Sequence, residues 1–497
     1  MDMGVALLSP FLALAVSCLA VLALWKRLSP QKGRLPPGPT PLPFLGNLLH
    51  VKTSNAFQSF LALRDKYGPV FTVHLGPRPV VVLCGHEAVK EALVDQAEEF
   101  SGRGELASLD RNFNGTGVAL ANGERWRQLR RFSLTALRNF GMGKQSIEER
   151  IQEEAQFLVE AFRETQGLPF DPTFFLSRTV SNVISSVVFG RRFDYEDQTF
   201  LSLLHKIHES LLEMSTPWAQ LYDMFSCVMR YLPGRHNRIY SLMEDLKAFI
   251  AEKAQANLET LDPDNPRDFI DCFLIQMEKE KGNPSSEFNM ENLVPTALNL
   301  FFGGTETVSS TLRYGFLLLM KHPDVEEKVH QEIDRVIGRE RLPSIEDRKR
   351  MPFTDAVVHE IQRVTNIVPL GMPHSVVRDT HFRGFLLPKG TNVFPLLGSV
   401  LTDPKYFHNP EKFNPGHFLD ANGCFKKNEA FVPFASGKRV CLGEAMARME
   451  LFLYVVIILQ NFSLKALVPP EDIDLTPQVS GFANIPPEYR MCLVPRC

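Results

Sequence analysis

From Gly4 to Leu24 the chain reads GVALLSPFLALAVSCLAVLAL, without a single charge. An apolar run of about 20 residues can span a bilayer as a helix. Trp25 follows it, then Lys26, Arg27 and Lys32, and Asp2 is the only charge in front. With that asymmetry a retained anchor leaves the bulk of the chain on the cytosolic side. A cleaved signal peptide fits less well, because the basic residues come after the apolar run and no A-x-A-type site precedes WKRLSPQKGR. Prolines at 36, 37, 39, 41 and 43 then forbid helix and favour a stiff extended spacer. The expected organisation is an anchor over 1–27, a proline-rich hinge over 28–50 and one undivided body over 51–497.

Within that body, VFTVHLGPRPVVVLCG reads as two short strands around a Gly-Pro turn, and HEAVKEALV as a helix. From about Gly123 to Met320 apolar residues return at helical spacing in GERWRQLRRFSLTALRNF, SIEERIQEEAQFLVEAFRE, TVSNVISSVVFG and RIYSLMEDLKAFIAEKAQANLE. Further helices are expected around 323–338 and 351–365. Strand-like pieces such as HFRGFLLPKGTNVFP come only later. The pattern predicts a mainly α protein with a minor β-sheet region and no internal repeat. Thr216 to Gly234, TPWAQLYDMFSCVMRYLPG, is apolar for a connection between helices. Trp218, Leu221, Met224 and Phe225 there either dip into a bilayer surface or form an ordinary buried loop.

Composition narrows the function little. A formal charge of −3 over 497 residues gives no nucleic-acid signature. The eight cysteines show no CxxC pair and no zinc spacing, which suits a reduced compartment and leaves Cys441 as a lone thiol. That thiol sits in FVPFASGKRVCLGEAMARMELFLYVVIILQ, between glycine-bearing turns and a long apolar helix. A second marked stretch is NLVPTALNLFFGGTETVSSTLRYGFLLLMKHP, a long apolar helix that Gly303 and Gly304 interrupt. Each glycine costs a helix interior about 1 kcal/mol against alanine. Thr307 lies four residues after Gly303, so its hydroxyl can bond that carbonyl and open the helix locally. The stretch reads either as room for a ligand with a proton route or as a packing kink. HEIQR sets Glu360 and Arg363 one helical turn apart, which alone reads as a surface salt bridge. GERWRQLRRF clusters Arg125, Arg127, Arg130 and Arg131 around Trp126, a solvated basic face or an anion site.

In chain order the elements are WxxxR (Trp126, Arg130), GGTET (Gly303 to Thr307), ExxR (Glu360, Arg363) and FxxGxRxCxG (Phe434, Gly437, Arg439, Cys441, Gly443). Together they resemble the cytochrome P-450 family, the haem-thiolate monooxygenases, over nearly the whole chain, the anchor and proline hinge included. Within the family the chain is similar to the vertebrate microsomal family 2 enzymes, which oxidise drugs and other foreign compounds. The resemblance implies haem b between a long central helix and a cysteine loop, with Cys441 as axial thiolate. Gly437 and Gly443 would let that loop pass close under a flat macrocycle. Arg439, Arg130 and Trp126 would hold the propionates, with Arg103 and His374 as helpers. Thr307 and Glu306 would deliver protons for dioxygen cleavage. Glu360 and Arg363 would be structural, and His417 of FNPGHF takes the place of a third partner that is an arginine in many relatives.

The resemblance also implies a substrate pocket at Phe113, Leu120, Leu211, Asn299, Phe302, Val368, Met372 and Phe482, for small lipophilic substrates that are xenobiotic, aromatic or like steroids or fatty acids, with compact, largely neutral aromatics expected. Asn299 is the polar exception; its amide either bonds a substrate carbonyl or ring nitrogen, or is satisfied by backbone or water. No G-x-G-x-x-G follows a strand, so electrons must come from elsewhere; the resemblance implies NADPH through the flavoprotein NADPH–cytochrome reductase, with cytochrome b5 as a further partner. Arg127, Arg131 and Lys438 would dock that acidic partner. The implied location is the endoplasmic reticulum membrane with a cytosolic catalytic domain, so the sequons at Asn114 and Asn461 would stay unmodified. A peroxide isomerase of the same fold is the first rival, and it has no need of the acid–threonine pair. A haem sensor and a membrane-anchored scaffold are the others.

Overall fold

The computed structural model describes residues 35–142 and 145–496. The apolar run Gly4–Leu24 lies outside them, and among the described residues no helix is long and apolar enough to cross a membrane. The expected hairpin forms: β1 (Val70–Leu75) pairs antiparallel with β2 (Arg78–Leu83) from Val70↔Leu83 to Leu75↔Arg78. The described prolines are not a free spacer. Thr72 donates its N–H to the Pro37 carbonyl at 2.9 Å and its hydroxyl to the Pro36 carbonyl at 2.8 Å. Proline offers acceptors and no donors, so β1 uses its outward donors to hold the segment along its edge.

Three further strands complete the sheet: β3 (Gly102–Arg103), β4 (His374–Ser375) and β5 (Asn392–Pro395), in the order β1-β2-β5-β4-β3. Strand β5 runs parallel to β2, while β3 and β4 pair antiparallel with Arg103 opposite His374. Register alone therefore sets two candidate ligands side by side.

Nine helices frame the rest of the site. They are α1 (Gly123–Asn139), α2 (Gln145–Glu164), α3 (Thr173–Val188), α4 (Gln198–Ser215), α5 (Pro217–Met229), α6 (His236–Glu259), α7 (Met290–Lys321), α8 (Pro352–Thr365) and α9 (Glu444–Asn461). Helix α7 is 32 residues long, is capped by the Asn289 side chain on Asn292 N–H, and is buried on nearly every face. A helix apolar all round belongs inside a large core; α3, α6, α8 and α9 pack against it.

Two expectations change. Helix α7 runs unbroken through Gly303 and Gly304 although Thr307 Oγ1 does donate to the Gly303 carbonyl at 2.8 Å. A carbonyl has two lone pairs, so the hydroxyl adds to the helical bond instead of replacing it. The stretch from Thr216 is helix α5, not a loop, opened by the Thr216 cap and Pro217 and kinked at Phe225 (φ −125°, ψ 30°). The face carrying Met224 is buried against the β1–β2 hairpin, with Phe225 packed beside it. The exposed apolar side chains of this region are therefore Trp218 (40%), Val228, Tyr231 (74%) and Leu232.

Candidate active site

A cavity of about 410 Å³ lies inside the helical core. Cys441, Phe434, Arg439 and Gly443 of the cysteine loop form one part of its wall, and Asn299, Phe302, Glu306 and Thr307 of α7 another. Trp126, Arg130, Arg103 and His374 also line it, as do Phe113, Leu120, Leu211, Val368, Met372 and Phe482. Glu360, Arg363 and Gly437 lie outside the lining.

Cys441 lies in the interior, and its open surface faces this cavity. The loop is held by its N–H, which donates to the Phe434 carbonyl at 3.0 Å. Burial pushes the thiol above its ordinary pKa. The backbone N–H groups of Gly443 and Glu444, at the start of α9, and the Arg130 charge favour the thiolate. The two loop glycines differ in purpose. Gly437 has φ +71°, and a Cβ there would sit 1.7 Å from the Leu93 carbonyl oxygen, so it serves the seating of the loop and not the cavity. A Cβ on Gly443 would meet nothing within 4 Å, and that residue does face the open space.

The most unusual feature is a cationic wall. Arg439 donates Nε–H to the Ser101 carbonyl at 2.8 Å and Nη2–H to the Ala121 carbonyl at 2.8 Å, with its guanidinium 3.9 Å over the Trp126 ring. Arg130 donates to the Val440 carbonyl at 2.6 Å, and Arg103 to the Ala119 carbonyl at 3.0 Å. Among the described residues no carboxylate pairs with any of the three. Burial lowers all three, and repulsion from neighbouring guanidinium groups lowers two of them further, Arg439 to about 8 and Arg103 to about 10. Burial, with the Arg103 charge, also depresses His374 to about 3, while its Nδ1–H donates to the Phe100 carbonyl at 2.7 Å. Arg439 Nη1 and Trp126 Nε1 are buried with no partner among the described residues. Buried charge and buried donors are costly without a counterpart. A flat ligand with two carboxylates and a metal that takes a thiolate meets each of these demands, so the residues fit haem.

On α7, Thr307 faces the cavity one position after Glu306. Glu306 is 2% exposed; its Oε2 lies 3.3 Å from His208 Nδ1 on α4, and its Oε1 is buried without a partner among the described residues. No local pattern points to His208, which stands 98 positions away. Asn299 Oδ1 accepts the Ala119 N–H at 3.1 Å. A backbone N–H can only donate, which fixes the amide's orientation, and its NH2 is left as the cavity-facing donor. The backbone thus satisfies the amide's oxygen, as one of the two readings of Asn299 expects. Glu450 of α9 was also missed: it lines the cavity, is fully buried and has both carboxylate oxygens unpartnered, which pushes its pKa well up.

The ExxR pair is not on the surface. Arg363 and Glu360 are both 0% exposed and are joined by two 2.7 Å bonds. His417 Nδ1 lies 3.1 Å from Glu360 Oε1, so the substitute third partner is in place. Nor is the expected docking surface made of free cations, since Lys438 and Arg127 both reach Glu98, Arg127 at 3.8 Å. Arg131 is exposed and has no ion pair among the described residues.

A family model described as Cytochrome P450 matches residues 36–493. Among characterised relatives, Cytochrome P450 2G1 of Oryctolagus cuniculus is 74% identical over 486 residues, covering 98% of each chain. The Rattus norvegicus protein of the same name is 67% identical over 98% of this chain and 99% of its own. Cytochrome P450 2A13 of Homo sapiens is 60% identical over 97% and 98%. With the anion-seeking wall and the open thiol already in view, these matches show that the chain belongs to the cytochrome P450 family, as a haem-dependent monooxygenase of the vertebrate family 2 group.

Proposed function

We propose that the chain oxidises small, lipophilic, mainly aromatic substrates at the endoplasmic reticulum membrane, with electrons drawn from NADPH through the flavoprotein reductase. The observation that carries this reading is one apolar cavity holding a thiol, three unneutralised guanidinium groups and an acid–threonine pair. Haem, when bound, supplies the activation of dioxygen, and thiolate donation favours O–O cleavage. Cys441 provides that thiolate, held toward it by the Gly443 and Glu444 N–H groups. The guanidinium groups of Arg439, Arg130 and Arg103 would neutralise the propionates, and Trp126 and His374, both uncharged, would help orient them. Thr307 holds a hydroxyl at the cavity through its bond to Gly303, and Glu306 beside it carries a proton there. Water is kept out by Phe113, Leu120, Leu211, Phe302, Val368, Met372 and Phe482.

Asn299 supplies the one directional contact for substrate. Its NH2 selects molecules with a carbonyl or ring nitrogen, because a rival without one leaves the donor unpaired, at about 1–3 kcal/mol. The Gly4–Leu24 run anchors the protein. The exposed Leu42, Phe44, Leu45 and Leu49 lie on the same side as α5, since Gly46 bridges Leu75 and Gly76 abuts the Met224 carbonyl. That apolar face rests on the membrane. Arg131, with Arg127 and Lys438 where Glu98 leaves them free, meets the acidic reductase, and cytochrome b5 uses the same surface.

Reconstitution with reductase, NADPH and labelled dioxygen tests the reading. One labelled oxygen atom in an aromatic product, with selectivity for carbonyl-bearing substrates lost in Asn299→Leu, is the expected result. Product from an organic peroxide without reductase or dioxygen, and none from the full system, would support the isomerase rival instead.

A further inference from the structure

Glu306 is sealed from bulk water, yet oxygen insertion with two electrons consumes two protons for the water it forms. A 2% exposed carboxyl cannot recharge itself, so a second group must carry protons in. We propose that His208 is that group: its imidazolium reloads Glu306 with protons taken from solvent, an inference that rests on the reading of Glu306 and Thr307 as the proton-delivery pair.

The geometry assigns the two ends of the carboxylate different tasks. Oε2 lies 3.3 Å from His208 Nδ1, while Oε1 is buried and unpartnered on a residue that lines the cavity. The His208 side chain is 21% exposed, so the ring spans from the buried acid to water. The surroundings let it titrate. Glu306 and Arg313 face it from α7, Asp171 from the segment before α3, and His205 from one turn back on α4. Arg178 of α3 acts on His205, and toward α6 the charges are already paired as Lys206–Asp245 and Arg238–Glu209. Burial and Arg313 disfavour the imidazolium, Glu306 and Asp171 favour it, and the balance holds His208 above the ordinary histidine value. Phe174 flanks both rings, at 4.0 Å from His205 and 6.0 Å from His208.

In the transfer, the Nδ1–H bond of His208 breaks as an O–H bond forms on Glu306 Oε2. The carboxylic acid gives up a proton to the cavity, and the neutral imidazole regains one from water. No electron moves in these steps. A purely structural ion pair would only hold Glu306 in place, and an arginine could do that as well.

The test uses full-length holoprotein with reductase, comparing wild type with His208→Gln, His208→Arg and Glu306→Gln from about pH 6 to about pH 9. Peroxide released per NADPH measures failed proton delivery. His208 is charged below its folded-state pKa, so wild-type leakage should rise as pH passes upward through that value. Histidine NMR of the reduced, CO-bound protein should show His208 titrating over the same range. Both His208 variants should leak severalfold more peroxide near neutral pH, with little pH dependence. Wild-type coupling in His208→Arg would reduce His208 to a positioning residue and overturn the relay, as would the absence of a His208 titration in that range. If a variant loses its haem, the wild-type NMR titration still decides. Normal coupling in Glu306→Gln would instead sink the acid's own assignment, whatever His208 does.

Discussion

Arg363→Lys keeps the charge of the ExxR arginine and removes its fork. The guanidinium donates Nε–H and Nη2–H to the two Glu360 oxygens, both at 2.7 Å. It also donates to the carbonyls of Leu401 at 3.0 Å, Pro410 at 2.7 Å and Lys412 at 3.0 Å. Those bonds use all five N–H groups of a side chain that is 0% exposed. An ammonium has three donors, so at least two of the five contacts go unmet, each at about 1–3 kcal/mol when buried. The expected destabilisation is therefore about 2–6 kcal/mol, a large part of the ~5–15 kcal/mol of an ordinary fold. Arg363→Ala should cost more, because it also strands the Glu360 carboxylate, with only Asn414 N–H and His417 left to it. Urea unfolding at saturating haem, followed by far-UV dichroism and haem absorbance, measures both. A lysine variant within about 1 kcal/mol of wild type would refute the reasoning, since the three carbonyls would then have water or another donor within reach.

Gly437→Ala should abolish haem-loaded protein, because the added Cβ strikes the Leu93 carbonyl and φ is +71°; haem content of the purified variant checks this. Trp126→Phe keeps the ring under Arg439 and removes the unpartnered Nε1–H, so haem should dissociate faster, by about 1.5–3 kcal/mol for a hydrogen bond to a charged group. Transfer of haem to apomyoglobin gives the rate. Asp347 supplies a pH-dependent case. Burial pushes its carboxyl up, but the Arg341 fork with Ser344 and Arg350 outweighs that and holds it well below the carboxylate range. A depressed pKa adds stability above the unfolded value of 3.8 and loses it as pH falls through the folded one. Asp347→Asn should be less stable than wild type at neutral pH, with the gap closing in strong acid, as paired urea melts at the two pH values would show.

Features written in local spacing were legible in the chain. Helical periodicity marks α1, α2, α3 and α6, and the Gly-Pro turn marks the β1–β2 hairpin, because each is built from neighbours in sequence. Gly437 and Cys441 stood out in the same way. What the sequence concealed comes from contacts between distant segments. His208 meets Glu306, Glu98 meets Lys438, and Ala119 N–H meets Asn299, each across a span that periodicity cannot bridge. Local reading also misjudged burial. Glu360 and Arg363 at helical spacing look like any exposed pair until the carbonyls of 401, 410 and 412 close over them. The glycine pair in α7 promised a break, but the helix continues through it, and Gly304 instead admits α3 closely, with Ile184 2.9 Å from where a Gly304 Cβ would lie.

The central claim is that Cys441 binds haem iron as a thiolate, and the carbon monoxide difference spectrum of the reduced protein tests it most directly. A thiolate ligand gives a band at about 450 nm in the wild type, and that band is lost in Cys441→Ser. A wild-type band at about 420 nm in otherwise folded protein, or one at about 450 nm that survives the serine change, would contradict that claim.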